Sequence, residues 1–261
     1  MNKNIIFNDI INNVNTKDSI SLSKNNVSRK SIALKTIILL LITISSTMIT
    51  FLLFNGLTFK PNIQNLMKHK PIVTLMLFVL PVISSVLIMS SRFLSVKITK
   101  HIAITYSILE GMFLGILFCF LNIVYDNVFE LVTIDILSVL CLFALMNLAF
   151  YNNIIKVTKK FVTFIIISMI GIFLIDLIIL FTGIFGNGIN ATVGASISFI
   201  AIIIGTLSLA MDFQYAENII QQNISKDYEW KVAIGFQITL IYIFIRILEL
   251  MMYLGMFNKR E

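Results

Sequence analysis

Several acidic side chains lie inside or at the ends of long apolar segments of this chain. In the stretch SLAMDFQYAENII, Asp212 follows about twenty almost wholly apolar residues, and Gln214 and Glu217 come soon after it. Glu110 stands near the middle of another apolar segment, and Asp176 lies toward the end of a third. Ionisable residues inside apolar spans are costly and rare, so each of these carboxyl groups is a functional candidate. A carboxyl group without a cationic partner there can bind or release a proton or a cation.

One basic residue, Arg246, lies in the interior of an apolar segment, and Glu249 follows it three positions later. Residues three apart share a helix face, so we expect these two charges to neutralise each other as an intramembrane ion pair. Asp212 also has a structural interpretation, as an ordinary interfacial residue at a helix end. We expect Asp135, near the start of its apolar segment, to lie at the membrane interface as well.

Residues for enzyme chemistry do not form a known pattern. His69 and His101 lie at loop positions without HExxH spacing, and Cys119 and Cys141 lie in apolar segments without a nearby His base. The chain has no glycine-rich phosphate loop and no GxSxG motif. We therefore expect a protein that is not an enzyme and has no cofactor. No metal site is certain, and the small ligands that remain are protons and cations, with Ca²⁺ as a candidate transported ion.

The candidate residues must be positioned by membrane-spanning helices, because the chain is too apolar for a soluble domain. Hydrophobic residues make up 58% of it and charged residues 13%, with a mean hydropathy of +0.95. A soluble domain carries roughly 25% charged residues, so the expected solvent for most of this chain is lipid. The basic residues behind the net charge of +7 lie in short loops between apolar runs. Membrane topology explains this placement better than nucleic-acid binding does.

The hydropathy pattern predicts an all-α, polytopic membrane protein with seven transmembrane helices in one domain, residues 31–257. We predict that residues 1–30, rich in Asn, Ser and Lys, form a disordered cytoplasmic segment and that residues 258–261 form a tail. Pro81, inside the second span, predicts a kink. The spans are Ile32–Leu57, Ile72–Met89, His101–Leu121, Leu131–Phe150, Phe161–Phe181, Ala191–Ala210 and Val232–Tyr253.

The distribution of Lys and Arg predicts the orientation. With the N-terminus in the cytoplasm, the inner segments carry fourteen of these residues and the outer segments carry five. Cytoplasmic loops are enriched in Lys and Arg, so we predict a multi-pass protein of the cell (plasma) membrane with a cytoplasmic N-terminus. The loop from Lys60 to Lys70 is basic although this orientation places it outside.

Four short motifs carry a resemblance to a known family. They are EGMFLG at residues 110–115, MDFQYAENI at 211–219, KDYEW at 226–230 and IFIRILELM at 243–251. The last three resemble the C-terminal signature of the Bax inhibitor family, also called transmembrane Bax inhibitor motif proteins. The EGMFLG run is similar to the third-span pattern of the bacterial YccA-like branch. The resemblance covers residues 29–253, and the combination of motifs is more specific than any one of them.

The resemblance implies a seven-helix bundle with the last helix at its centre. It also implies a pH-sensitive calcium leak, in which two aspartates on the last two helices form a hydrogen-bonded, proton-sensing pair. Asp212 matches the first of these aspartates. No aspartate occurs at Gly235–Ile238, where the second is expected, and Gln237 is the polar residue there. We therefore predict that Asp212 closes a cytoplasmic gate by hydrogen bonding to span seven, with Gln237 as its partner.

The leading functional hypothesis is a Bax-inhibitor-like, pH-sensitive cation leak channel or ion-homeostasis protein of the bacterial plasma membrane. Glu110, Asp176 and Asp212, with carbonyl groups of the spans, are candidate oxygen ligands for calcium. The alternative is a non-transporting adaptor that modulates a membrane protease or a stress response. A proton-coupled secondary transporter is less well supported, because the chain shows no internal repeat. The expected partners are the lipid bilayer and calcium or protons, with an unknown membrane-protein partner and no nucleic acid.

Overall fold

The computed structural model describes residues 27–57, 79–89, 98–152, 154–184, 190–222 and 224–256. Within these ranges the chain forms seven helices and no strand. Six of the helices, all except α2, are long and apolar enough to cross a membrane, which confirms the all-α, polytopic membrane fold. The helices are α1 (Arg29–Leu57), α2 (Val79–Met89), α3 (Thr99–Val124), α4 (Val128–Tyr151), α5 (Lys159–Ile184), α6 (Ala191–Gln221) and α7 (Tyr228–Tyr253).

Several predictions fall partly or wholly outside the described ranges. The N-terminal segment up to residue 26, the basic loop that contains His69, the first part of the second span at residues 72–78 and the tail after residue 256 all lie there. Pro81 lies in the first turn of the described part of α2, so the kink in the second span stays a prediction.

The predicted end of the sixth span is wrong. The apolar run stops at Ala210, but α6 continues for three more turns to Gln221. Polar side chains support this extension along one helix face, because Gln214 donates a hydrogen bond to Asn218 at 2.9 Å and Gln221 donates one to Glu217 at 3.2 Å. The segment is therefore helical without being apolar, and Asp212 lies inside a continuous helix.

The central position of the last helix is confirmed. Helix α7 packs against α1, α3, α4 and α6, and 56% of its span is buried inside the protein. Helix α5 packs mainly against α6, and only 11% of its span is buried. Lipid therefore covers most of α5, whereas α7 contributes fully buried polar side chains such as Glu229 and Gln237 to the interior.

Helices α1 and α3 approach each other closely at two glycines of α3. A Cβ atom at Gly111 would lie 2.5 Å from the carbonyl oxygen of Thr43, and one at Gly115 would lie 2.8 Å from that of Thr47. Small residues spaced by four positions let helix backbones meet in lipid, where dispersion contacts drive association. The EGMFLG motif thus brings α3 against α1 just beyond Glu110.

The two cysteines are free. Cys119 is buried and its thiol lies 3.7 Å from the carbonyl oxygen of Phe51, and Cys141 is exposed on the lipid-facing surface. His101, expected in a loop, lies instead in the first turn of α3 and is exposed.

Candidate proton and cation site

Asp212 on α6 faces α7 and is hydrogen bonded to it. The hydroxyl of Thr239 donates to Asp212 Oδ2 at 2.7 Å. Asp212 Oδ1 lies near the preceding turn of α7, 3.7 Å from the position that a Cβ atom of Gly235 would occupy. The prediction that Asp212 bonds to the last helix is confirmed, but its partner is Thr239.

The prediction that Gln237 is the partner of Asp212 is wrong because of the helical period. Gln237 lies two residues from both Gly235 and Thr239, which corresponds to a rotation of about 200° around the helix axis. Its side chain therefore points to the opposite side of α7. Depth along the helix was a sufficient guide to which turns meet, but the face of the helix decides which side chain makes the contact.

Asp212 also lies further from the end of its helix than predicted. Because α6 continues to Gln221, nine residues separate Asp212 from the end of its helix, which corresponds to about 14 Å. Thr239 lies eleven residues after the start of α7, about 16 Å along that helix. The hydrogen bond therefore joins two helix interiors, and Asp212 is not an ordinary residue at a helix end.

Aromatic side chains pack directly beside this hydrogen bond. Phe213, the residue after Asp212, lies 5.0 Å from Phe236 of α7 and 5.4 Å from Phe143 of α4, measured between ring centroids. Phe150 of α4 stacks on Phe213 at 5.7 Å. This aromatic cluster of Phe143, Phe150, Phe213 and Phe236 joins α4, α6 and α7 next to the hydrogen bond.

Gln237 belongs to a second, fully buried network between α1, α3 and α7. The hydroxyl of Ser107 donates to Gln237 Oε1 at 3.0 Å, and Gln237 Nε2 donates to the Thr43 hydroxyl at 2.7 Å. Thr43 in turn donates to the carbonyl oxygen of Leu39 at 3.0 Å. A buried amide with partners for both its oxygen and its nitrogen fixes the relative positions of three helices.

Glu110 lies one turn beyond Ser107 on α3 and is buried. It accepts a hydrogen bond from the hydroxyl of Ser84 on α2 at 2.7 Å, and Tyr106 is a second hydrogen-bond partner. Among the described residues, no Lys or Arg pairs with this carboxyl group. Within the described ranges, Glu110 is therefore a buried carboxyl that is hydrogen bonded to hydroxyl groups and not paired with a cation.

Arg246 forms a three-residue ion cluster instead of a simple pair. Its guanidinium donates to Glu249 Oε2 at 2.8 Å, which confirms the predicted pair, and it also donates to both carboxylate oxygens of Asp176 on α5. Tyr242 lies under the guanidinium at 5.2 Å. Asp176 was predicted as a further acid of an ion pathway, but its carboxylate is occupied by Arg246.

The structure also contains polar contacts that the sequence did not indicate. Glu229, in the first turn of α7, is fully buried and accepts hydrogen bonds from the Ser28 amide at 3.0 Å, the Ser31 hydroxyl and Lys35 Nζ at 2.6 Å. These donors all come from the start of α1. An acid in the first turn of a helix is an ordinary feature of helix ends, so only the fold shows that this one joins α1 to α7.

A second ion pair strengthens the same end of the bundle, which we call the N-terminal face because α1 begins there. Arg29 Nη2 lies 2.7 Å from Glu217 Oε2 of α6, and the guanidinium packs over the ring of Tyr151 of α4 at 5.1 Å. Together with the Glu229 contacts, this pair holds the ends of α4 and α6 and the starts of α1 and α7 together.

The predicted candidates thus belong to separate sites. Asp212 pairs with Thr239, Glu110 with Ser84, and Asp176 with Arg246. Within the described ranges, no group of three or more His, Cys, Asp or Glu residues is placed to hold a metal ion. Asp135, expected at the membrane interface, is in fact fully buried among the helices.

The fold is that of a polytopic α-helical membrane protein, because helices of membrane-spanning length surround a central helix. Its interior is polar, because carboxyl groups form hydrogen bonds and ion pairs between neighbouring helices. The chain matches the family described as Bax inhibitor 1 like over residues 8–256, and it belongs to that family. The predicted membership of the Bax inhibitor family is thereby confirmed, and the bacterial YccA-like branch stays a prediction. No curated protein matches the chain.

Proposed function

We propose that this protein is a pH-sensitive cation leak of the bacterial plasma membrane, with calcium as the leading ion and the N-terminal face toward the cytoplasm. The observation that carries the proposal is the hydrogen bond between Asp212 and Thr239, which joins two helix interiors through a carboxyl group. No Lys or Arg in the described part of the chain pairs with that carboxyl. Its charge therefore depends on protons or on a passing cation.

In this proposal the Asp212–Thr239 bond holds α6 against α7 in a closed arrangement. The aromatic cluster beside it packs apolar rings of α4, α6 and α7 against one another next to Asp212. An ion can pass only if α6 and α7 separate enough to move Phe213 away from Phe236. A change in the protonation of Asp212 changes the strength of the bond that resists this separation, because hydrogen bonds to charged acceptors are the stronger ones.

Glu110 supports the proposal as a second carboxyl in the interior. It lies eleven residues into α3, about 16 Å along the helix, and Thr239 lies at a similar distance along α7. Both helices begin at the N-terminal face, so the two polar sites are at a similar level of the bundle. We propose Glu110 as a cation-attracting or proton-sensing group, separated from Asp212 by α7 and its Gln237 network.

The proposal is tested by calcium flux through purified protein in liposomes. Asp212→Asn keeps a hydrogen-bond acceptor for Thr239 but removes the titratable group, so the variant should fold and conduct with little dependence on pH. Asp227→Asn, a change at an exposed acid before α7, is the control and should behave as the wild type does. Absence of any flux would favour the adaptor hypothesis. Flux with the same pH profile in both variants would exclude Asp212 as the sensor.

A further inference from the structure

Asp135 is a buried carboxyl group without a partner in the described part of the chain. It lies in the second turn of α4, and its relative exposure is 0%. Among the residues that the structure describes, neither Oδ1 nor Oδ2 has a hydrogen-bond partner. Buried polar groups in proteins are almost always hydrogen bonded, and an ionised carboxylate is too costly to bury alone, so each exception requires an explanation.

A second unpartnered group lies at the same depth. Among the described side chains, the only other buried polar atom without a partner is the hydroxyl of Ser198 on α6. Asp135 lies seven residues after the start of α4 and Ser198 seven residues after the start of α6, about 10 Å from each helix end. Helices α4 and α6 pack against each other, so this level of the bundle contains polar groups that the protein itself does not satisfy.

Arg246, the basic side chain at the level of Asp135, already has partners. Helices α4 and α7 are antiparallel, since Asn127 Nδ2 donates to the Met256 carbonyl at 2.8 Å while Phe143 packs against Phe236 at 6.1 Å. Asp135 is midway between Asn127 and Phe143, which places it level with Arg246. The Arg246 guanidinium, however, is bonded to Asp176 and Glu249.

In the described ranges, no other charged group faces Asp135 from the helices packed around α4. Between residues 191 and 210, α6 contains no charged residue, and α3 contains none after Glu110. On α7 the charged residues of this half are Arg246 and Glu249, and on α4 itself Glu130 is exposed near the helix start. Within the described structure, charge balance at Asp135 therefore cannot come from a side chain.

We propose that Asp135 is a proton-binding site in the half of the bundle opposite the Asp212 site, and that it carries a bound proton in the packed state of the protein. A proton is the ligand that fits, because a single one neutralises the carboxyl and needs no further ligands, whereas calcium takes six to eight oxygens. Release of this proton would leave an uncompensated charge between α4, α6 and α7. The site therefore links proton occupancy to the packing of α4.

Infrared spectroscopy of the full-length protein in liposomes at neutral pH tests the proposal, because the carbonyl band of a protonated carboxyl is separate from the bands of a carboxylate. Asp135→Asn should remove intensity from the protonated-carboxyl band. Glu130→Gln, an exposed acid five residues earlier on the same helix, is the matched control and should remove intensity from the carboxylate bands. Loss of carboxylate intensity in Asp135→Asn would overturn the proposal.

Thermal unfolding gives a second, independent result. A neutral amide replaces a neutral acid of nearly the same size, so Asp135→Asn should fold and should keep the melting temperature of the wild type. A variant that fails to fold, or that melts at a clearly lower temperature, would overturn the proposal, because it would mean that the negative charge is needed there. Neither measurement requires transport, so both results bear on Asp135 whether or not the protein conducts calcium.

Discussion

At the scale of single residues, the carboxyl groups inside this protein differ in the partners that they bind. Asp176 and Glu249 share Arg246, whereas Asp212 has the neutral hydroxyl of Thr239. The charge of an ion-paired carboxylate is balanced by the neighbouring guanidinium. A carboxyl held by a neutral hydroxyl has no such counter-charge. The difference makes Asp212 a better candidate sensor than Asp176.

Replacing Thr239 tests the hydrogen bond directly. Thr239→Val keeps the shape of the side chain but removes the donor to Asp212, which should weaken the contact between α6 and α7 by about 1–3 kcal/mol. Since 1.4 kcal/mol corresponds to a factor of ten, we expect roughly a 5- to 140-fold rise in calcium leak. The measurement is the initial rate of calcium flux into liposomes.

Thr239→Ser is the control for this substitution, because it keeps the hydroxyl and removes only a methyl group. It should leak at close to the wild-type rate. If the valine and serine variants leak equally, the hydrogen bond to Asp212 does not hold the closed state.

At the scale of helices, two kinds of contact hold the bundle together. Close backbone packing joins α1 to α3 at Gly111 and Gly115, and polar side chains join α7 to its neighbours. Helix α5 differs from the others because it lies mostly in lipid and is joined to α7 through the pair of Asp176 with Arg246. Packing in lipid gains little from the hydrophobic effect, so these specific contacts determine which helices meet.

The glycine contact predicts a large difference between two otherwise similar substitutions. Gly111→Ala places a Cβ 2.5 Å from the backbone oxygen of Thr43 and should destabilise the protein by about 1–3 kcal/mol through overpacking. Gly171→Ala on α5 meets no atom within 4 Å and should be neutral or slightly stabilising, because alanine favours the helix. Thermal unfolding in detergent measures both, and equal melting temperatures would show that α1 and α3 do not pack closely at this site.

At the scale of the whole molecule, hydropathy was enough to predict the fold class and most of the helices. Apolar runs of spanning length allow few alternatives to a helix bundle, because backbone polar groups must be satisfied within each segment. The end of α6 was missed, since its last three turns are polar and hydropathy reports on lipid contact instead of on helix formation. The central place of α7 came from the family resemblance and not from composition.

The site could be predicted only in part. The motif around Asp212 predicted a hydrogen bond from this residue to the last helix, but Thr239 was missed because the rotation of α7 about its axis is decided by packing. The contacts of Glu229 with α1 join residues about two hundred positions apart, which no local pattern reveals. Asp135 was expected at the membrane interface because it lies near a helix start, yet neighbouring helices bury it completely.

The excess of Lys and Arg on one side predicts the orientation of the whole bundle. Single cysteines at Asn4 and Lys259 should react differently with a membrane-impermeant thiol reagent in intact cells, with labelling only at position 259. The protein's own Cys119 and Cys141 lie within spans, so a cysteine-free background is the control. Labelling at position 4 alone would mean that the orientation is the opposite of the predicted one, and equal labelling would mean an even number of spans.

The central claim is that the Asp212 carboxyl controls a cation leak in response to protons. This carboxyl faces the turn of α7 between Gly235 and Thr239. Gly235→Asp tests it most directly, because the new side chain begins 3.7 Å from Asp212 Oδ1 and creates a pair of carboxyl groups. Gly235→Asn has the same size without the charge. Calcium flux into liposomes should respond to protons at higher pH in Gly235→Asp than in Gly235→Asn, because two adjacent carboxylates cannot both ionise easily. The same pH profile in both variants would contradict the claim.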